Sequence, residues 1–381
     1  MGMQRKTDWL LFTAVVALVG FGLVVMYSAS SVVADLKYGY STYYLLRQLV
    51  FAAAAFSVMM YLKNRDYRDW NQPVWAFAPM GIAIMLLAVA YFADAKTHRW
   101  IRLGGGFQFQ PSEVAKPALI IFLAWFVSLR APAINNRKHT LFPAMICLSF
   151  LAGLVVMADL GTAVVLVSTA ATVFFVAGLE KRYMAIAFFA ALLCMTGAIA
   201  MKPYRILRII GHFDPELKLI DLVDYQGRIR AKVQGMSNSR DPGYHARQSR
   251  IAVGSGGVLG MGLMQGEQKL LYLPEAHTDF IYAVIGEELG LVGCTLVLLA
   301  FLLILSRGVR LACVAPDNFG RYLALGVTAS IVVQAFMNMS VVLDLAPTKG
   351  IPLPMVSYGG SSLVSTLASL GLLLSVNEHA G

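Results

Sequence analysis

Residues 9–31 read WLLFTAVVALVGFGLVVMYSASS, a run without a single charge. A helix rises 1.5 Å per residue, so this run reaches about 35 Å, enough to cross the ~30 Å hydrocarbon core of a bilayer. It is too long for the apolar core of a cleavable signal peptide. Asp8 and the Arg5-Lys6 pair flank its N-terminal side. The reading is a first membrane span with the N-terminus held inside.

The same pattern recurs along the chain. Apolar runs at 9–31, 45–62, 73–92, 113–130, 141–158, 160–178, 183–201, 278–304, 321–343 and 358–376 predict about ten transmembrane helices. The fifth and sixth are almost continuous around Asp159-Leu160-Gly161. Composition agrees: 58% of the 381 residues are hydrophobic and 14% charged, against roughly 25% charged in a soluble domain. The fold class is therefore all-α, a polytopic integral membrane protein, with residues 1–381 forming one domain. No internal repeat or low-complexity tract interrupts it.

Charge orients the chain. The predicted inner segments carry Arg5, Lys6, Lys63, Arg65, Arg68, Arg130, Arg137, Lys138, Lys181, Arg182, Arg307, Arg310 and Arg321. The short outer ones carry only Lys37, Arg47, Lys96, Arg99, Arg102 and Lys349. This asymmetry places both termini in the cytoplasm. The net charge of +10 fits anchoring at anionic lipid or an anionic substrate. Its spread over short loops speaks against a nucleic-acid partner. Of the four cysteines, Cys147, Cys194 and Cys294 fall in apolar runs and Cys313 in a predicted inner loop. None has metal-ligand spacing.

The exception to the pattern is residues 202–277, a long extracytoplasmic loop rich in charge. A loop of that length is usually functional. Its periodic patches, Tyr204 to Ile210 and Gly243 to Val253, predict amphipathic helices lying on the membrane. It ends in the glycine-rich run 254–262, which lacks the strand–helix context of a dinucleotide site. Those glycines serve a tight turn or close helix contact.

Charges within or beside spans mark function or internal pairs, because unpaired charge in a bilayer is costly. Gln110-Pro-Ser-Glu113 reads as a helix start, and Glu113 and Lys116 share one helix face. They form either a local ion pair or the lining of a polar cavity open to the outside. Arg99-Trp-Ile-Arg102 is either an interfacial anchor or a clamp for phosphate, for which arginine geometry is suited. Asp159 could pair with Lys116 or bind a substrate or cation. Asp279 stands at the outer start of a helix, with Glu287 and Glu288 about 12–14 Å further along it. Its bland role is an acid favoured by the helix dipole. The hydrolase, phosphate-loop and zinc motifs of other chemistries are absent.

Several motifs carry a resemblance. They are Val25-Met-Tyr-Ser-Ala-Ser30, Arg99-Trp-Ile101, Gln110-Pro-Ser-Glu113 and Asp159-Leu-Gly-Thr-Ala163. Next come Gln248-Ser249, Gly254-Ser-Gly-Gly257, Leu273-Pro-Glu-Ala-His-Thr-Asp-Phe280 and Gly286-Glu-Glu-Leu-Gly290. The last is Pro352-Leu-Pro-Met-Val-Ser-Tyr-Gly-Gly-Ser-Ser362. In this order and over the whole chain, they resemble the FtsW/RodA/SpoVE (SEDS) family of bacterial division, elongation and sporulation proteins. The resemblance implies a peptidoglycan glycosyltransferase that polymerises lipid II at the outer face of the bacterial cytoplasmic membrane. It implies a class B penicillin-binding protein transpeptidase as partner, among other division or elongation membrane proteins. It assigns the catalytic carboxylate to Asp279.

Beside it stands a physical account. A poorly solvated carboxylate can act as general base on an acceptor hydroxyl. The undecaprenyl pyrophosphate leaving group needs its charge stabilised. Arg99, Arg102, Lys116 and Arg247 are candidate cations, with a divalent metal (Mg or Mn) as a further expectation. Glu113, Asp159, Glu287, Ser357 and Ser361 complete the expected substrate contacts. The motif details are more FtsW-like than RodA-like, although Leu271 stands where many FtsW proteins have an acidic residue. Rival functions are a lipid II flippase and a non-enzymatic scaffold that recruits the transpeptidase. The O-antigen ligases share a similar architecture, but the His-Thr-Asp-Phe and Ser-Tyr-Gly-Gly-Ser-Ser motifs argue against them.

Overall fold

Asp8 starts the first helix and ties it to another one. One carboxylate oxygen accepts the Leu11 N–H at 3.1 Å, capping α1 (Trp9–Tyr38), while the other lies 2.7 Å from the Arg307 guanidinium. Gly39, in the left-handed region at φ 78°, ends α1 and turns the chain into α2 (Tyr43–Asn64). In this computed structural model residues 7–94, 97–104, 107–200, 244–270, 272–347 and 349–379 are described. The Tyr204–Ile210 patch, Arg5, Lys6, Lys96 and Leu271 lie outside them.

The other elements follow in chain order. They are α3 (Pro73–Ala93), a hairpin of β1 (Ile101–Gly104) and β2 (Phe107–Phe109), α4 (Pro111–Arg130), α5 (Phe142–Ala158), α6 (Leu160–Val176) and α7 (Lys181–Ala200). After them come α8 (Tyr244–Ser255), α9 (Ile281–Val314), α10 (Asn318–Val342) and α11 (Gly360–Glu378). Among the described residues nine helices are long and apolar enough to cross a membrane, and α6, at 17 residues, is the short tenth. All ten expected spans are present as helices.

One detail differs from the sequence reading and one boundary agrees with it. The ninth helix continues to Val314, so Arg307, Arg310 and Cys313 lie on it rather than in a loop. The pairing of Arg307 with Asp8 makes that extension tolerable. The expected junction at Asp159 is a true break, with extended backbone at φ −147° that both ends α5 and caps α6.

Packing sets which helices face lipid. The apolar window of α10 is 72% buried, whereas none of that of α7 is. So α10 is the axis of the bundle and α7 its rim. One face is sewn together by polar contacts. Lys63 pairs with Glu378, Thr7 donates to the same carboxylate, and Tyr67 donates to Asp317. Both described chain ends therefore lie on one face. Asp94, the hairpin, Asp159 and Asp279 lie on the other.

The glycine-rich run closes against a break in α9. Gly290 has φ 63° and ψ −159°, which only glycine adopts readily. The Glu287 and Glu288 carbonyls accept the N–H groups of Met261 and Gly262 at 3.0 and 2.9 Å. Leu291 and Val292 donate back to the Gly257 and Val258 carbonyls at 3.0 and 3.2 Å. The loop thus supplies the partners that the broken helix lacks, as backbone away from water requires. The contact needs glycine on both sides: a β-carbon on Gly260 would lie 2.1 Å from the Glu288 carbonyl oxygen.

Candidate active site

Asp279 sits in a turn that its own sequence builds. Glu275, at φ 56°, offers one carbonyl to the N–H groups of Thr278, Asp279 and Phe280 at 3.1, 3.1 and 3.3 Å. The turn leaves the Asp279 side chain half-buried just before α9. Asn338 of α10 holds it from below: its amide donates to the Asp279 carbonyl at 2.8 Å and to the Ile351 carbonyl at 2.7 Å. The His277 carbonyl accepts the Tyr358 N–H at 2.9 Å. Burial, reinforced by the charge of Lys37, holds the His277 imidazole below its usual range despite Glu275.

Two ion pairs flank this turn. Lys116 lies 2.7 Å from Glu113 and 2.7 Å from the Gln334 amide oxygen, and Gln334 donates to the Pro352 carbonyl at 2.9 Å. The Glu113 and Lys116 side chains are only 2% and 5% exposed, so each is committed to its partner. Arg99 pairs with Asp159 at 3.1 Å, and Asp159 also accepts from Gly161 N–H and Thr162 Oγ1 at 2.9 Å each. The Gln110 side-chain amide lies between Arg99 and Asp159, with its oxygen accepting from the Arg99 guanidinium at 3.1 Å. The possible Asp159–Lys116 pair of the sequence reading does not form; geometry assigns each charge a different partner.

Arg99 is itself positioned by Asp94 at the end of α3. The Asp94 carboxylate accepts from the Thr97 hydroxyl and from the N–H groups of Arg99 and Trp100 at 3.4 Å. The Thr97 hydroxyl and these backbone donors outweigh desolvation and hold the Asp94 pKa at about 2.

The segment Lys349–Pro352 joins the three groups. Gly350 faces Asp279, Ile351 bonds Asn338 and packs with Lys349 on the first turn of α6 at Gly161, and Pro352 bonds Gln334. Sequence reading missed Gln334, Asn338, Lys349 and Gly350. The signal was there for two of them, since Gln334 and Asn338 are polar, four apart, and share one face of an apolar helix.

The remaining expected residues scatter. Arg102 is exposed on β1 opposite Gln108. Arg247 is exposed on α8, the helix that the Gly243–Val253 patch predicts. Glu287 is buried, and its carboxylate accepts the N–H groups of Glu267 and Gln268 at 2.7 and 3.0 Å. Glu288, equally buried, pairs with Lys269 and accepts from Ser28. Ser357 accepts the Leu353 N–H at 2.8 Å. Ser361 borders an apolar cavity of about 530 Å³ among α2, β2, α4 and α11, walled by Phe51, Phe109, Val114, Pro117 and Val364.

Comparison with known proteins places this arrangement. Residues 8–381 match the FtsW/RodA/SpoVE family model, described as cell cycle protein. The chain belongs to this family. A probable peptidoglycan glycosyltransferase FtsW of Geobacter sulfurreducens is 39% identical over 98% of this chain and 96% of its own. The stage V sporulation protein E of Bacillus subtilis is 37% identical over 99% and 98%. Among solved structures, a chain from a peptidoglycan synthase complex that coordinates polymerization and crosslinking aligns with a TM-score of 0.76 at 27% identity, covering 98% of both chains. The rod shape determining protein RodA of Thermus thermophilus aligns at 0.68 and 26%, covering 100% of this chain and 99% of its own. The family assignment agrees with the motif order along the chain.

Proposed function

We propose that this chain is a peptidoglycan glycosyltransferase of the bacterial cytoplasmic membrane that polymerises lipid II, with Asp279 as its general base. The observation that carries the assignment of Asp279 is its placement. It is a half-buried carboxylate on the outer face, held by backbone bonds from a family motif and by Asn338, between two ion pairs. The acceptor sugar's 4-hydroxyl gives its proton to Asp279 as its oxygen attacks the anomeric carbon of the donor. The anomeric bond to undecaprenyl pyrophosphate breaks, and the pyrophosphate leaves without protonation. Direct displacement inverts an α-linked donor to a β-linked product with no covalent enzyme intermediate.

The leaving group's charge needs a cation with an open edge. The Arg99 side chain is 23% exposed while Asp159 beneath it is 5% exposed, so Arg99 can bind phosphate and keep its partner. Lys116 is closed in by Glu113 and Gln334 and acts on the site's shape. The apolar cavity beside Ser361 accommodates the first prenyl units. Among the described residues no three His, Cys, Asp or Glu side chains converge to cage a metal ion, so no step is assigned to a protein-held metal. The partner is a class B penicillin-binding protein transpeptidase, in line with the synthase complex that the chain resembles. Both termini are cytoplasmic, because the face bearing the chain ends carries Lys63, Arg65, Arg68 and Arg307. The FtsW relatives favour the division branch.

The test is glycan synthesis from lipid II in detergent by purified protein with its co-purifying transpeptidase. Asp279→Asn should lose polymer by at least a hundredfold while folding normally. Full activity in that variant would remove Asp279 as base. Lipid II transfer across vesicles by a wild type that makes no polymer would favour a flippase instead.

A further inference from the structure

A run of aromatic rings leads from the outer surface to the Asp279 turn, apart from the groups assigned to proton transfer and phosphate binding. It begins where α1 ends and α2 starts. Tyr40 is 48% exposed and meets Tyr43 edge-on at 5.5 Å. Tyr38, 38% exposed, stacks on Tyr43 at 3.7 Å and meets Tyr44 edge-on at 5.9 Å. Tyr44 is buried and touches His277 at 4.8 Å and Tyr358 at 5.1 Å. His277 is two residues from Asp279, and Tyr358 is bonded to its backbone. The Arg47 guanidinium lies 4.5 Å from the Tyr43 ring centre.

Tyrosines at a membrane surface ordinarily form a belt of separate anchors. These differ in two ways. They contact one another in a continuous chain, and exposure drops from 48% at Tyr40 to 9% at Tyr44, the ring that meets His277. A pyranose presents an apolar C–H face rimmed with hydroxyls. Flat phenol rings with hydroxyls and a guanidinium at their edges match that face better than they match acyl chains, which offer no hydrogen bonds. An aromatic track ending at a proposed general base therefore suits a polymer of sugar rings.

We infer that Tyr38 and Tyr40, backed by Tyr43, Tyr44 and Arg47, form a subsite that binds the sugar rings of a glycan strand beside Asp279. The inference rests on the glycosyltransferase reading for its biological sense, but binding can be measured without catalysis.

The experiment titrates the full-length protein in detergent with a soluble hexasaccharide of alternating N-acetylglucosamine and N-acetylmuramic acid, read by saturation-transfer NMR. The double variant Tyr38→Ala/Tyr40→Ala should weaken binding at least tenfold, and Tyr38→Phe/Tyr40→Phe should keep it within about threefold, because stacking needs the ring. Tyr61→Ala, on the inner half of α2, should bind like wild type. In polymerisation with the partner transpeptidase, the Ala pair should also shorten the strands. Thermal unfolding of the Ala and Phe pairs at the same temperature shows that a loss of binding is local. Equal binding by wild type and the Ala pair, or no binding by wild type, overturns the subsite. So does the same loss when the probe is the stem peptide alone or phosphatidylglycerol vesicles, which would assign the rings to those ligands. If the hexasaccharide binds as expected but wild type makes no polymer, the subsite stands and the glycosyltransferase reading falls.

Discussion

Gly350 and Asp279 touch across the site: a β-carbon on Gly350 would lie 2.5 Å from the Asp279 Oδ2. The carboxylate thus rests against backbone that has no room for any side chain. Gly350→Ala must push Asp279 away or rotate it. A displacement near 1 Å in a reacting group costs about a hundredfold in rate. The expected result is a drop of that order in glycan synthesis with little change in melting temperature. Wild-type turnover in this variant would show that the placement of Asp279 is not limiting.

Lys269, Glu288 and Ser28 form a charged group inside the bundle, with all three residues at most 4% exposed. Removing one partner of a buried pair leaves the other charge uncompensated, at a cost of about 3–5 kcal/mol, while replacing both with apolar residues is often near neutral. Lys269→Met should therefore melt well below wild type in detergent, and Lys269→Met/Glu288→Leu should recover most of the loss. A double variant no more stable than the single one would contradict this account.

Gly290 and Gly260 meet at the break in α9, where a β-carbon on Gly290 would lie 2.4 Å from the Gly260 nitrogen. Gly290→Ala adds backbone strain of about 1–3 kcal/mol to that clash. Its expected outcome is poor accumulation of folded protein, seen as loss of the monodisperse peak in size-exclusion chromatography. Gly153→Ala, with open space around its site, should behave as wild type.

Asp94 should give a measurable pH signature. Its folded pKa, about 2, lies below the ordinary carboxylate value near 4. A depressed carboxyl stabilises the fold above its unfolded pKa and loses that contribution as pH falls through its folded pKa. The stability difference between wild type and Asp94→Asn should therefore be constant from pH 8 to 5 and shrink between about 4 and 2. An unchanged difference at pH 3 would mean that the Thr97 and backbone bonds do not hold Asp94 ionised. Because the same carboxylate holds the Arg99 backbone, Asp94→Asn should also raise KM for lipid II.

Which segments cross the membrane is legible in the amino-acid order alone. Hydropathy is local, and each transmembrane helix satisfies its own backbone bonds, so runs such as 9–31 declare themselves without neighbours. The residue pattern likewise put Asp279 at the outer start of a span, and the helix itself begins at Ile281. Pairings were not legible. Asp159 goes to Arg99 rather than Lys116, and Lys116 reaches Gln334 across 218 positions of sequence, because helix packing and not spacing decides which charges meet. The roles of Gly350 and of the Gly260–Gly290 contact were equally hidden, since a close approach between backbones leaves no periodic trace. Only the tertiary structure brought residues 349–352 across the site, where they join Asp279, the first turn of α6 and Gln334. Burial of that many polar groups in a bilayer requires each to find a partner, and the fold alone specifies which one.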